Sequence, residues 1–188
     1  MATQAQSRHT LWLLRHAKAV ADPPPGGTDW DRVVAPRGRR DATALGRRFA
    51  GNGEGLGPAL KGVPRPVVAL VSPAARTAQT AELVVAQMAV TPELRLEEGL
   101  YGADPDEVIA LLRALGDDAK TIMVVGHNPT MHTLSHELLA QRDKKGLSLA
   151  VQFGFPTCAL GVYRFNLEGW KDVANGSAKL VALMAPPY

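Results

Sequence analysis

Four residues in this sequence carry side chains able to do phosphorus chemistry, and all four stand just beyond apolar runs. Arg15 and His16 follow Leu11–Leu14 directly, Arg76 comes shortly after Pro66–Val71, and His127 follows Thr121–Val125 through Gly126. Each run reads as a buried strand. The carboxyl end of a parallel strand is where an open α/β sheet presents residues to a ligand crevice. An Arg-His pair alone means little, because such pairs are common; the repetition at three strand exits gives it weight. Guanidinium groups match phosphate oxygens with forked hydrogen bonds. A neutral imidazole can attack phosphorus and hold the phosphoryl group covalently. Neighbouring cations disfavour imidazolium and so keep the nucleophile free. Phosphoryl transfer asks mainly for placement and charge neutralisation, which arginines can supply without a metal.

The elements that must position these residues are readable in outline. Ser72-Pro73 predicts a helix from about Ala74 to Met88, with Ser72 as N-cap. Arg76 then falls in the first turn and leans back toward the crevice, beside free backbone N–H groups that suit a phosphate. Asn128-Pro129 repeats that junction after His127, with Asn128 as N-cap, and Gly126 permits close backbone approach. Pro36–Ala50 reads as a helix burying Ala42, Leu45 and Phe49, with Arg37, Arg39, Arg40, Arg47 and Arg48 on a solvated face. Asp104-Pro105-Asp106-Glu107 opens another helix, whose core face is Val108, Ile109, Leu111, Leu112 and Leu115. Residues 51–66 read as loop, Leu94–Ala103 as a short segment with glycines at 99 and 102, and Gln141–Gly146 as a charged loop. Ala21–Asp31 is Pro/Gly-rich and admits two readings, a wall of the site or a plain connection. Cys158–Phe165 and Lys179–Met184 are the last two strands, with Cys158 a small buried apolar residue. Alternating strands and helices imply a three-layer α/β/α sandwich with a mostly parallel central sheet.

The bulk composition fits that picture. The 188 residues suit one domain spanning 1–188, with its core at about 10–185. At 46% apolar residues the chain is neither disordered nor built of membrane spans. The polar start, MATQAQSRHT, lacks the apolar centre of a signal peptide. One cysteine excludes an internal disulfide, so a cytoplasmic location is expected. A net charge of +3 suits an anionic ligand. No aromatic platform or groove-reading motif points to nucleic acid. No membrane partner is expected, and a monomer is.

With these residues in place the chain resembles the histidine phosphatase superfamily, the phosphoglycerate mutase-like proteins. The family's Arg-His-Gly signature appears as Arg15-His16-Ala17, with Ala at the third position. Its S-P-x-x-R-x-x-x-T segment appears as Ser72-Pro73-Ala74-Ala75-Arg76-Thr77-Ala78-Gln79-Thr80, and its second histidine as Gly126-His127-Asn128-Pro129. The chain is most similar to the compact SixA-type branch, which Asp31-Arg32, Pro36-Arg37-Gly38 and Phe155-Pro156-Thr157 also fit. The likeness runs from about Leu11 to Met184. It implies a phosphoglycerate mutase-like fold and no cofactor. It also implies a phosphatase acting through a phosphohistidine on His16, with Arg15, Arg76 and His127 binding the phosphoryl group. The implied substrate is a phosphohistidine protein, with a phosphorylated small molecule as the alternative. The family's acid segment, L-x-E-x-x-[YF]-G, matches Leu96–Gly102 and puts Glu98 at the general acid's position. The family's Asn after the first motif has no counterpart in Lys18–Pro25, and Lys18 reads as a surface lysine.

Other classes are weighed against this. His132 and His136 are spaced as half a metal face, but Thr133 stands where H-E-x-x-H needs Glu, so no metal site is expected. A non-catalytic phospho-ligand module would keep the arginines without needing His16. Mutases of the superfamily carry extra segments for which this chain has little length.

Overall fold

The computed structural model describes residues 8–50, 60–116 and 118–188. The predicted loop over 51–66 lies outside the described residues for its first nine positions. Six strands, β1 (Arg8–Arg15), β2 (Val68–Val71), β3 (Glu93–Leu96), β4 (Thr121–Gly126), β5 (Leu160–Asn166) and β6 (Ala178–Met184), form one sheet. Five helices accompany them, α1 (Pro36–Phe49), α2 (Ala75–Val85), α3 (Pro105–Arg113), α4 (Thr130–Glu137) and α5 (Lys144–Phe153). The strand order is β3-β2-β4-β1-β5-β6. Strands β3, β2, β4 and β1 pair in parallel, and β5 runs antiparallel to both of its neighbours. The mostly parallel α/β sandwich expected from the sequence is therefore the fold.

Strands β1, β2 and β4 are apolar on both faces because both faces are covered. One face carries Trp12, Leu14, Val71 and Met123 under α1 and α2, whose Leu45, Phe49, Ala81 and Val84 complete that core. The other carries Leu11, Leu13, Ile122 and Val124, packed with Ile109, Leu112, Leu134, Tyr163 and Trp170. Trp12 is fully buried, so truncating it to Ala would cost about 3–5 kcal/mol. Register sets the active edge. Arg15 pairs with Gly126, and Val71 with Val125, so β1, β2 and β4 end level with one another.

Three sequence expectations need correcting. Ser72 does not cap α2; that helix starts at Ala75 after Ala74. Asn128 does not cap α4, which starts at Thr130 after Pro129. The charged stretch Gln141–Gly146 is not all loop: α5 starts inside it, with Asp143 as N-cap accepting from the Gly146 N–H at 3.1 Å. By contrast, Asp104 caps α3 as expected, accepting from the Glu107 N–H at 2.9 Å.

Candidate active site

The level strand ends open into a cleft of about 420 Å³, lined by Arg15, His16, Arg76 and His127 together with Lys18, Arg32, Tyr101, Asn128 and Thr157. Four of the five residues singled out in the sequence thus meet in one place. The fifth, Glu98, does not line the cleft; it is exposed at the start of a short 3-10 turn, Glu98–Leu100. Tyr101, three residues on, reaches the cleft instead.

His16 follows the last residue of β1. Its backbone N–H donates to Gly126 O at 3.0 Å, and its carbonyl accepts from Cys158 N at 3.0 Å. Its Nδ1 lies 2.8 Å from the Ala17 carbonyl. A carbonyl only accepts, so Nδ1 carries the proton and Nε2 keeps its lone pair. Burial pushes the His16 pKa down to about 3, against the hydrogen bond that His16 donates to the Ala17 carbonyl; the charges of His127, Arg76 and Arg15 push the same way as burial. The ring is therefore neutral at physiological pH. Ala17, where the family has Gly, is fully buried and is not among the positive-φ residues, so a methyl group is tolerated here.

Thr80 explains the spacing of the motif on α2. Its hydroxyl donates to the Arg76 carbonyl at 2.6 Å and accepts from the Ala17 N–H at 2.9 Å. One side chain thereby locks the His16 turn to the first turn of α2. Gly38 of α1 presses on the same turn from outside: a Cβ there would meet the Lys18 carbonyl oxygen at 2.2 Å.

His127 faces His16, with ring centroids 5.2 Å apart. Its Nε2 is 2.8 Å from Ser72 Oγ, so the predicted cap residue orients the second histidine instead. Burial and then the charge of Arg76 lower the His127 pKa to about 4, while Asp29 pulls it up. Asn128 donates through Nδ2 to Phe155 O at 3.1 Å and Gly154 O at 3.3 Å. Arg15 donates to the same Phe155 carbonyl at 3.0 Å. Phe155 and Cys158 both have positive φ, 47° and 62°. The turn between them is held in this shape by backbone bonds from Cys158 N to His16 O and from Ala159 N to Pro156 O.

The Pro/Gly-rich stretch backs the cleft's lining through Asp29. Its ends are pinned by a bridge between Ala19 and Val34, and it carries a 3-10 turn at Asp29–Asp31. Asp29 accepts from Arg76 Nη2 at 2.8 Å, Arg32 Nη1 at 2.7 Å and Tyr101 Oη at 2.9 Å. The Arg32 and Tyr101 hydrogen bonds, with help from Arg76, hold its carboxyl at about 2, below the usual carboxylate range. Asp29, Arg32, Tyr101, Asn128 and Thr157 were not legible as site residues. Asp29 meets Arg76 across 47 positions and Tyr101 across 72, and no local spacing encodes such pairs.

The metal alternative gains no ligands. His132 and His136 stack edge-on at 5.5 Å, and among the described residues no group of three or more His, Cys, Asp or Glu side chains is gathered.

A sheet of this order, with two histidines and two arginines gathered at its carboxyl edge, has the make-up of a phosphoryl-transfer site. The chain belongs to the histidine phosphatase superfamily, in its SixA-type branch. An uncharacterised protein of Mycobacterium tuberculosis is 34% identical over 175 residues, covering 92% of this chain and 99% of its own. A Mycobacterium leprae protein, also uncharacterised, is 31% identical over 176 residues, with the same two coverages. Among solved structures, a protein from Nakamurella multipartitia assigned as phosphohistidine phosphatase SixA is 32% identical with TM-score 0.74, covering 96% of this chain and 98% of its own. An Agrobacterium tumefaciens protein with the same assignment is 26% identical with TM-score 0.71, covering 95% and 99%. No family model matches the chain.

Proposed function

We propose that the protein is a phosphatase that works through a covalent phosphohistidine on His16, with phosphohistidine on a protein as its preferred substrate. The observation that carries this reading is the state of His16: Nδ1 is tied to the Ala17 carbonyl, which leaves Nε2 unprotonated in a cleft with Arg15, Arg76 and His127. In the first step Nε2 bonds to phosphorus as the substrate's P–N bond breaks, and the departing imidazole keeps the electron pair. In the second, water bonds to phosphorus and the P–Nε2 bond breaks, releasing inorganic phosphate and restoring His16. Arg15 and Arg76 neutralise the equatorial oxygens in both steps, and His127, held by Ser72, donates to one of them.

The substrate preference rests on the lack of a proton donor of the carboxyl type: no cleft-lining side chain is a carboxyl, and Asp29, which backs Arg76, is held ionised by Arg32, Tyr101 and Arg76. An alkoxide needs a proton as it leaves. A phosphohistidine ring can already carry one. Glu98, on its exposed turn, is the candidate acid for alkyl substrates. The assignments of the Nakamurella multipartitia and Agrobacterium tumefaciens proteins support the same preference. A metal-independent, monomeric, single-domain enzyme is part of this proposal. No helix among the described residues is long and apolar enough to cross a membrane.

The test is direct. Incubation with a phosphohistidine peptide should give an acid-labile, base-stable phosphoenzyme in the wild type and none in His16→Ala, whose turnover should fall by roughly 10³-fold or more. Near-normal turnover of His16→Ala would overturn the mechanism.

A further inference from the structure

At the opposite end of the sheet from the cleft lies a second concavity, of about 830 Å³. Arg8 of β1, Arg164 of β5, Lys179 of β6 and Arg142, just before α5, line it. None of these four cations takes part in the ion pairs found among the described residues. The one acid in the lining, Asp143, is occupied with backbone: Oδ1 accepts from Gly146 N at 3.1 Å and Oδ2 from Leu180 N at 3.0 Å.

The register makes this arrangement unfavourable for an empty surface. Arg164 and Lys179 are direct partners on antiparallel β5 and β6, so two like charges face each other on one side of the sheet. Like charges directly opposite are destabilising. Arg8 pairs with Asn166, which sets it diagonally across from Arg164 on the same face. Arg164 is only partly exposed, so its charge is screened less than a free surface arginine's. Three guanidinium forks and an ammonium offer more donors than one phosphoryl group can accept. Ala140 and Ala178 give the concavity an apolar side.

We infer that this concavity is a second anion site, built for a small molecule bearing a di- or triphosphate group. The site is separate from the catalytic cleft and does not depend on the phosphatase reading.

The probe is inorganic triphosphate in metal-free, low-salt buffer, followed by amide chemical shifts. Saturable shifts are expected at Arg8, Arg164–Asn166 and Ser177–Lys179, whatever happens at His16 and His127. Arg164→Ala with Lys179→Ala should weaken that response at least tenfold, leave turnover within twofold, and melt no lower than the wild type without triphosphate. Arg142→Ala, on an exposed loop, should weaken binding at least threefold and carries the test if the double variant fails to fold. The control, Arg39→Ala with Arg40→Ala on α1, should bind as the wild type does. Shifts confined to the catalytic cleft, or equal weakening in the control, would overturn the inference.

Discussion

Arg76 is held on Asp29 at two points: Nη1 donates to the Asp29 carbonyl at 2.7 Å and Nη2 to its carboxylate at 2.8 Å. The arginine proposed to grip phosphate is thus pre-aimed by a neighbouring loop, and carries an anion beside the place where the phosphoryl oxygens would sit. Aim and charge can be separated by substitution. Asp29→Asn keeps an oxygen acceptor for Nη2 and removes the negative charge. Inorganic phosphate should then inhibit more tightly, with Ki falling about three- to tenfold, while Asp29→Ala should loosen Arg76 and lower kcat. A higher Ki in Asp29→Asn would mean that the charge itself aligns Arg76.

The two depressed histidines fix the pH behaviour. With pKa values lowered to about 3 for His16 and about 4 for His127, both rings are neutral above roughly pH 5. With an aryl phosphate as substrate, kcat/KM should stay level from pH 7 down to about 5 and fall below that. A drop centred at the ordinary histidine value of 6.5 would contradict the geometry.

Stability follows with a definite sign. Below pH 6.5 the unfolded chain binds protons on these histidines that the folded chain does not, so stability falls as pH decreases. Asp29, at about 2 folded and 3.8 ordinarily, adds a loss in the same direction at lower pH. Tm should therefore decline from pH 6.5 toward 4, and His127→Gln should flatten part of that decline. A Tm independent of pH across this window would show that the rings are not held neutral.

Glu98→Gln divides the substrate classes. With a phosphohistidine peptide the change should be under about threefold, because the leaving ring needs no acid. A loss of about 10²-fold restricted to alkyl phosphates would identify Glu98 as the acid for alkoxide leaving groups. An equally large loss with phosphohistidine would refute the substrate preference.

Prolonged chelation should leave turnover unchanged if, as proposed, Arg15 and Arg76 supply the charge that metal ions supply in other phosphoryl-transfer sites. Activity lost to a chelator and restored by zinc would transfer attention to His132 and His136.

The sequence carried the strand exits well, because β1, β2 and β4 are short, apolar on both faces and followed at once by Arg15-His16, Ser72-Pro73 and Gly126-His127. It misled at Ser72 and Asn128 for one physical reason. A small polar side chain before Pro has the composition of a helix cap, yet here Ser72 bonds to His127 and Asn128 to the Phe155 and Gly154 carbonyls. Helix α5 was hidden by its start, Arg142-Asp143-Lys144-Lys145, which reads as solvated loop until Asp143 is seen capping Gly146. The Asp29–Tyr101 contact had no sequence signal, since it depends on the loop folding back across the cleft.

The strand order has a consequence for the protein as it is being made. His16 is translated well before the segments that flank its strand, because β1 lies between β4 and β5, which end at Gly126 and Asn166. Until those segments have been synthesised, β1 has neither neighbour, and His16 lacks both the Gly126 carbonyl and the Cys158 amide that hold its backbone. Closing such distant contacts is slow and late. A nascent chain stalled before Leu160 should accordingly be inert toward phosphohistidine, and catalytic competence should arrive abruptly once β5 has been made and paired with β1.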